Sequence, residues 1–283
     1  MTAAPDPHDA LVIGGGPAGL TAALYLARFR RRVVVVDKDE GRLALIPLSR
    51  NLAGFPQGVN GRDLLARMRE QARLYGAELR TGEATQLRRE GGGFLAATTT
   101  GEIFARAAIR ATGVGNTPPP LEPALHADAV ARGLLRYCPI CDAFEQTGKT
   151  IGVLGGDRHG LAEAMFLKTY AQDVRLIAPG AMDLDSHARM QAAKARITLV
   201  ENGVAAFDVS GRAPVLTLRD GARLRLDTLY VGLGTRTRNE LGRELGGDLV
   251  DGQCFAPDAF QRLNVPGLYA AGDAVEGLDQ IST

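Results

Sequence analysis

The chain of 283 residues has no tryptophan, three cysteines and 5% aromatic residues. Three cysteines are too few for the disulfide framework of a small secreted protein. Lys and Arg number 33 against 32 Asp and Glu, which argues against the clustered positive charge that binds nucleic acid. No apolar run reaches the roughly 18 residues of a membrane-spanning helix, so we expect no membrane partner.

The N-terminus, residues 1–9, is polar and lacks the basic-then-apolar pattern of a secretory signal. We therefore expect a short disordered tail and a cytoplasmic protein. Glycine is abundant, with 35 residues and no repeat, which is typical of many tight strand-to-helix turns. The length allows about two domains.

A strand–helix–strand pattern occurs twice along the chain. An apolar run at 10–13 precedes three glycines, a helical pattern over 17–30 and a second apolar run at 33–36. The same order returns at about residue 150, with strands at 151–154 and 174–177 around a helix at 161–170. Residues 267–273 form a further strand and glycine turn, which we expect to complete the first domain. The pattern predicts an α/β fold with two Rossmann-like dinucleotide-binding domains.

The first glycine loop reads Gly14-x-Gly16-x-x-Gly19 between a predicted strand and a predicted helix. In such a loop the first Gly makes the tight turn, the second lets a pyrophosphate approach, and the third lets helix and strand pack closely. The phosphates lie at the helix N-terminus. Asp37, about 20 residues further on, can accept hydrogen bonds from a ribose. The loop predicts dinucleotide binding, and a purely structural glycine turn is the alternative.

Cys138 and Cys141 enclose a Pro-Ile pair and are followed by Asp142. Zinc needs about four ligands, and only Cys254 and scattered histidines remain, so a metal site is disfavoured. A C-x-x-C pair in a cytoplasmic α/β protein favours a redox dithiol or disulfide. Pro139 suits the first turn of a helix, and a helix N-terminus favours the reactive thiolate. Asp142 could move protons as the thiols form and break. Two buried, inert cysteines are the alternative.

Four stretches, in order along nearly the whole chain, resemble the low-molecular-weight thioredoxin reductase family of FAD-dependent disulfide oxidoreductases. They are the glycine loop at 14–19, residues 51–56, the run at 138–142, and residues 270–273 continuing to Gln280 and Ile281. The resemblance implies a homodimer with a discontinuous FAD domain, here 1–116 and 246–283. It also implies an inserted NADPH domain, here about 117–245, that carries the dithiol.

The same resemblance implies residue roles. Cys138, Cys141 and Asp142 would be catalytic, with Cys141 nearer the flavin. Asp273 would hold the ribityl chain, and the residues after it would face the isoalloxazine. In the family, a rotation between the domains presents the flavin to NADPH and the dithiol to the partner in turn. The residues assigned to FAD are Gly14, Gly16, Pro17, Ala18, Gly19, Asp37, Lys38, Asn51, Ala84, Ala111, Thr112, Gly113, Gly272, Asp273, Gln280 and Ile281.

Two departures from the family concern NADPH. In the second glycine loop, at 155–160, Asp157 stands where a Gly would let a pyrophosphate approach. The cations for the NADPH 2′-phosphate should follow the strand at 174–177, but residues 178–183 contain no Arg or Lys. Arg158 and Arg175 are the nearby cations that could compensate. We therefore expect FAD to bind and NADPH to be a poor donor.

A third departure is the end of the chain at Thr283. Family members continue as a helix after a Gln-Ile pair, and we interpret residues 280–282 as the start of that helix in a truncated sequence.

The sequence thus predicts an FAD-dependent disulfide oxidoreductase that acts on a thioredoxin-like protein or a small disulfide. Its electron donor could be a protein such as ferredoxin. Two alternatives stay open: a dithiol oxidase that passes electrons to O2, and a flavin-binding sensor without turnover.

Overall fold

The structure is a computed structural model that describes residues 7–238, 241, 245–250, 254–277 and 279–282. The chain divides into two compact units. The first unit comprises Met1–Ala44, Asn60–Gly115 and Arg236–Thr283. The second unit comprises Leu45–Val59 and Asn116–Thr235.

The elements are numbered in chain order. The helices are α1 (Pro17–Arg28), α2 (Gly61–Leu74), α3 (Pro123–Ala131), α4 (Pro139–Asp142), α5 (Arg158–Leu167) and α6 (Ser186–Lys194). The strands up to the middle of the chain are β1 (His8–Ile13), β2 (Val33–Asp37), β3 (Glu78–Thr81), β4 (Ala84–Glu90), β5 (Gly93–Thr98), β6 (Gly101–Arg110), β7 (Val114–Asn116), β8 (Leu135–Arg136) and β9 (Ile151–Leu154). The later strands are β10 (Val174–Ile177), β11 (Thr198–Val200), β12 (Val204–Asp208), β13 (Val215–Leu218), β14 (Arg223–Arg225), β15 (Thr228–Val231), β16 (Thr235–Thr237), β17 (Leu249–Val250), β18 (Cys254–Phe255) and β19 (Leu268–Ala270).

The main sheet of the first unit has the order β3-β2-β1-β6-β5-β4, and β19 pairs with β6. Strands β1, β2, β3, β6 and β19 pair in parallel, and β4 and β5 add an antiparallel hairpin. The apolar runs are buried on both faces, as parallel strands covered by helices require: Leu11, Val34 and Leu268 are fully buried. The predicted return of the C-terminal segment to the first sheet is confirmed by the pairing of Leu268 with Ala108.

The second unit contains a five-stranded parallel sheet of order β11-β10-β9-β15-β8 and an antiparallel sheet of order β12-β13-β14. The second strand–helix–strand repeat is therefore confirmed. Helix α5 begins at Arg158, three residues before the predicted start, because the Asp157 side chain caps it and accepts a bond from the Gly160 N–H. Both units have the predicted α/β architecture.

Parallel strands end at one edge of their sheet, which brings their following loops together. In the first unit, β1, β6 and β19 are neighbours, so the loops after Ile13, Arg110 and Ala270 meet. In the second unit, β9 lies next to β10, so the second glycine loop meets the segment after Ile177. None of the helices formed by the described residues is both long and apolar enough for a membrane crossing.

Ile281 and Ser282 lie in a turn. That residues 280–282 begin a helix in a longer chain stays a prediction.

Candidate active site

The first glycine loop packs tightly at two of its three motif positions. Gly14 has a φ of 108°, and a Cβ there would lie 2.2 Å from the carbonyl oxygen of Ala111. A Cβ at Gly19 would lie 2.0 Å from the carbonyl oxygen of Gly14. These two glycines therefore let β1, α1 and the end of β6 approach each other, as expected of the first and third glycines of a dinucleotide loop.

The middle glycine faces open space. Apart from Gly16 itself and its two chain neighbours, the described residues place no atom within 4 Å of where a Cβ of Gly16 would be. Gly16 is also the N-cap of α1, where no side-chain cap bond forms and the first turn holds no acidic residue. The N–H groups of this helix end are therefore available to an anion. This cradle fits the diphosphate of a dinucleotide such as FAD.

The acid predicted to bind a ribose lies beside the glycine loop. A Cβ at Gly15 would lie 2.6 Å from Oδ2 of Asp37, so a glycine leaves room for that carboxylate. Nη2 of Arg69 donates to Asp37 at 2.9 Å and to Asp39 at 2.6 Å. Together with Arg73, these residues line a groove at the end of β2. Arg69 was missed by the sequence analysis, since only the fold brings α2 to Asp37.

Two further residues assigned to FAD lie near the end of β2. Nζ of Lys38 forms ion pairs with Glu83 at 3.1 Å and with Glu40 at 3.2 Å. These bonds raise the pKa of the Lys38 ammonium. Ala84, which follows Glu83, begins β4 and packs partly against the core of the first unit.

The loops after β6 and β19 both approach α1, since a Cβ at Gly19 would lie 3.2 Å from Cβ of Ala111. A Cβ at Gly272, whose φ is 71°, would lie 2.6 Å from Cβ of Ala18. Asp273 accepts a bond from Nη1 of Arg42 at 3.0 Å, with both side chains about three-quarters buried. Arg42 therefore fixes the carboxylate that the resemblance assigns to the ribityl chain.

A buried arginine lies at the edge of the sheet where β6 ends. Arg110, the last residue of β6, is fully buried and stacks 5.1 Å from the ring centre of Phe255. Its Nη2 donates to Oγ1 of Thr112 at 3.2 Å and to the carbonyl oxygen of Arg238. The Thr112 hydroxyl donates to that same carbonyl oxygen at 2.9 Å. Arg110 thus positions the loop that contains Thr112.

Three residues assigned to FAD are not brought into this cluster by the described contacts. Asn51 belongs to the segment grouped with the second unit, where its Oδ1 accepts from the Ser49 hydroxyl at 2.9 Å. Gln280 donates to the carbonyl oxygen of Asp279 at 3.2 Å, and Ile281 follows in the terminal turn. The roles of these three residues stay predictions.

In the second unit, Cys138 and Cys141 form a disulfide. Cys138 is the N-cap of α4, which begins at Pro139 as predicted. The Cys141 N–H donates to the carbonyl oxygen of Cys138 at 3.1 Å. The two sulfurs therefore lie at the start of one short helical turn, and Ile140 between them is half exposed.

The carboxylate of Asp142 is held by two donors that the sequence analysis did not identify. The Tyr230 hydroxyl donates to Oδ1 at 2.6 Å, and Nη1 of Arg136 donates to Oδ2. Tyr230 is fully buried. The sequence did offer a sign of Arg136. It is a charged residue that directly follows the apolar pair Leu134–Leu135 and stands two positions before Cys138.

The second glycine loop repeats the packing of the first but not its open end. A Cβ at Gly155 would lie 3.1 Å from Cα of Gly160, so helix and strand again approach closely. The middle position is Asp157, whose carboxylate accepts from the Gly160 N–H at 2.9 Å. A Cβ at Gly156 would lie 2.9 Å from the carbonyl oxygen of Ala181. This helix end is therefore capped by its own side chain, unlike that of α1.

The cations near that loop are already paired with acids. Arg158 binds the carboxylate of Asp185. Arg175 binds Asp173 through both Nε at 3.1 Å and Nη2 at 2.8 Å, which lowers the pKa of that acid. Neither arginine therefore offers an unpaired guanidinium to a 2′-phosphate.

Comparisons with known proteins identify the family of the chain. The model of the pyridine nucleotide-disulphide oxidoreductase family matches residues 8–283. A thioredoxin reductase of Mycolicibacterium smegmatis is 30% identical over 98% of this chain and 91% of its own length. A bifunctional thioredoxin reductase/thioredoxin of Mycobacterium leprae is 30% identical over 95% of this chain, which spans 60% of that relative's length.

Among solved structures, that of HlmI is similar with a TM-score of 0.88 at 28% identity, covering 98% of this chain and 88% of HlmI. The chain thus matches the family model over almost its whole length. It also contains two nucleotide-type units, a glycine loop with an open helix end, and a C-x-x-C disulfide. The chain therefore belongs to the pyridine nucleotide-disulphide oxidoreductase family, as a thioredoxin reductase-like flavoprotein disulfide oxidoreductase.

Proposed function

We propose that this enzyme moves electrons between bound FAD and the Cys138/Cys141 pair, and that NADPH is a poor electron donor for it. The observation that carries this proposal is the contrast between two helix ends in one chain. Gly16 leaves the N-terminus of α1 without a side-chain cap, whereas Asp157 caps the N-terminus of α5 with its own carboxylate.

FAD would be held by the first unit. The N–H groups at the start of α1 would bind its diphosphate, and Asp37 would accept hydrogen bonds from its ribose. Asp273, fixed by Arg42, would accept from the ribityl hydroxyls. When bound, FAD supplies a carrier of two electrons to the site. We assign FAD to a domain of residues 1–116 and 246–283, and the dithiol to an insert at about 117–245. The units of the structure differ from these bounds in that Leu45–Val59 group with the second unit and residues 236–245 with the first.

The chemistry of the cysteine pair needs a group that handles protons. Oxidation of the Cys138 and Cys141 thiols to a disulfide releases two electrons and two protons, and reduction takes up the same number. Asp142 directly follows Cys141 in α4, and we assign it the transfer of one of these protons. The exchange partner would be a thioredoxin-like protein, as the names of the relatives suggest, or a small disulfide.

Two features of the second unit disfavour the binding of NADPH. The Gly160 N–H, which a diphosphate would use, already donates to Asp157. The segment after β10 lies against the second glycine loop, with Ala181 next to Gly156. Each charge-assisted hydrogen bond to a phosphate that is lost costs about 1.5–3 kcal/mol, so loss of two would weaken binding by a hundredfold or more.

The closed second glycine loop also favours the opposite direction of electron flow, from a dithiol to the flavin. If NADPH does not reduce the flavin, electrons can enter from a substrate dithiol by exchange with the Cys138–Cys141 disulfide. They would then pass through the flavin to O2, so that one dithiol and one O2 give one disulfide and one H2O2. This second candidate is a flavin dithiol oxidase.

The test is an anaerobic titration of the FAD-loaded full chain with NADPH, NADH, reduced ferredoxin and dithiothreitol, followed by the flavin absorbance. We expect reduction by dithiothreitol or ferredoxin and little reduction by micromolar NADPH. Admission of air with a dithiol then separates the two candidates by peroxide formation. Rapid reduction by NADPH would contradict the donor assignment. Reduction by none of the four would contradict both candidates and leave a flavin-binding sensor.

Three further parts of the proposal concern the setting of the enzyme. We propose a cytoplasmic location, a homodimer, and a protein donor such as ferredoxin, since the resemblance to thioredoxin reductases and the closed second glycine loop support them. Size-exclusion chromatography with light scattering of the full chain tests the dimer.

A further inference from the structure

The edge strand before the dithiol places an arginine beside a tyrosine. Strand β8 pairs in parallel with β15, and in this register Arg136 lies opposite Tyr230. Side chains of paired residues project from the same face of a sheet. Arg136 and Tyr230, which are far apart in the sequence, therefore reach the same space next to α4.

The two side chains hold one carboxylate by both of its oxygens. Tyr230 donates to Oδ1 of Asp142 at 2.6 Å, and Arg136 donates to Oδ2. A carboxylate bound at both oxygens by donors from a sheet cannot rotate freely about its terminal bond. Its plane is therefore set by the strand register rather than by the short helix α4 that carries it.

Each donor is itself fixed. Nε of Arg136 donates to Oγ1 of Thr228 at 3.1 Å, and the Thr228 hydroxyl donates to the carbonyl oxygen of Gly133 at 3.1 Å. A Cβ at Gly133, where φ is 70°, would lie 2.7 Å from Nη2 of Arg136, so the glycine leaves room for the guanidinium. Burial and the nearby Asp142 charge raise the pKa of Tyr230, so its hydroxyl keeps its proton and stays a donor.

We propose that Arg136 and Tyr230 are positioning residues that hold the Asp142 carboxylate in the orientation in which it exchanges protons with the Cys138/Cys141 thiols. This inference rests on the proposed function, because it requires the dithiol to turn over. It adds that the efficiency of proton transfer depends on two residues of the sheet that bind neither FAD nor substrate.

The test is the rate at which dithiothreitol reduces the flavin of the FAD-loaded full chain, followed anaerobically by stopped flow. The variants are Tyr230→Phe, Arg136→Gln and Arg136→Lys, each alone and combined with Asp142→Asn. Matched controls in the same unit are Tyr170→Phe and the exposed Arg225→Gln. FAD content and the thermal unfolding midpoint of each variant report whether it is folded.

We expect Tyr230→Phe and Arg136→Gln each to lower the limiting rate by about 10- to 100-fold, a part of what acid–base catalysis contributes. The dithiothreitol concentration at half-maximal rate should not change, and Arg136→Lys should restore part of the rate. In the Asp142→Asn background, neither change should alter the rate by more than about 2-fold, because coupled residues are not additive.

If Tyr230→Phe and Arg136→Gln lower the rate as much in the Asp142→Asn chain as in the unmodified chain, the inference is overturned. The two residues would then act on the rate independently of Asp142. Wild-type rates in folded Tyr230→Phe and Arg136→Gln proteins would overturn it as well. Failure of dithiothreitol to reduce the flavin of the unmodified chain would instead contradict the proposed function, and the two failures are therefore distinguishable.

Discussion

The Asp183 N–H donates to the carbonyl oxygen of Gly156 at 2.5 Å, so the segment after β10 is tied to the second glycine loop. In a dinucleotide domain the diphosphate lies at the N-terminus of the helix after the glycine loop, and the segment after the second strand reaches the ribose. Here that segment is bonded to the loop, next to a helix end that Asp157 already caps. Under the proposed function, both features oppose NADPH without altering the α/β architecture of the unit.

Restoring the nucleotide loop should raise NADPH binding. The triple variant Asp157→Gly, Pro179→Arg, Gly180→Arg removes the capping carboxylate and adds two cations for the 2′-phosphate, placed beyond the fully buried Ala178 where a side chain at 180 meets open space. We expect NADPH to bind at least about tenfold more tightly, with a smaller gain for NADH, which lacks that phosphate. Stopped-flow reduction of the flavin by each nucleotide measures this. Equal gains for both nucleotides would show that the added cations do not meet the 2′-phosphate.

Two glycines of the first loop should respond to alanine in opposite ways. Gly16→Ala places a methyl group in open space at an ordinary φ of −78°, so the free energy of unfolding without FAD should change by less than about 1 kcal/mol. FAD affinity should nevertheless fall at least tenfold, since the methyl group stands where the diphosphate approaches.

The matched variant Gly14→Ala should instead destabilise the fold by more than about 2 kcal/mol, because φ is 108° and the methyl group meets the Ala111 carbonyl. Urea unfolding and FAD fluorescence titration of both variants separate the two effects. Unchanged FAD affinity in Gly16→Ala would contradict the assignment of the diphosphate to this loop.

Replacement of either cysteine of the pair should abolish turnover and leave the cofactor bound. In Cys138→Ser and Cys141→Ser the disulfide cannot form, so electrons cannot pass between flavin and substrate. FAD content should match that of the unmodified chain, because neither residue lies in the first unit. Disulfide reduction and dithiol oxidation are measured beside FAD content, with Cys254→Ser as the control. Full activity in either variant would refute a redox role of the pair.

The third cysteine should react slowly at neutral pH. Burial and the carboxylates of Asp279 and Glu276 raise the pKa of the Cys254 thiol above its ordinary value of 9.0. A raised thiol pKa means that the unreactive protonated form persists to higher pH, so the alkylation rate should reach half its maximum above pH 9.0. Iodoacetamide labelling of the Cys138→Ser/Cys141→Ser chain against pH measures this. A midpoint below that value would contradict the described environment of Cys254.

Local patterns predicted the architecture and the central loops of the site. Several features depend on only a few consecutive residues and are read directly from the sequence. They are the apolar runs that form β1, β2 and β9, the open position at Gly16, and the helix start at Pro139. Asp157 was identified as an obstacle to a diphosphate from its position in the loop alone. The structure adds that its carboxylate acts as the helix cap.

Contacts between distant residues could not be predicted in this way. Tyr230 reaches Asp142 only because β15 pairs with β8, and Arg42 reaches Asp273 only because β19 returns to the first sheet. The segment after β10 folds onto Gly156 through a backbone hydrogen bond that any residue except proline can donate. Strand register and backbone bonds between loops are set by the packing of the whole unit, which no local pattern records.

The Asp157 side chain stabilises the start of α5 whether or not a nucleotide is bound. An aspartate at a helix N-cap stabilises a protein by roughly 0.5–2 kcal/mol relative to alanine, with no ligand present. A ligand adds stability only to the extent that it binds the folded state, so under the proposed function NADPH should stabilise this unit little. We therefore expect the melting temperature to change little with micromolar NADPH, because the cap supplies the stability of this helix end without a ligand.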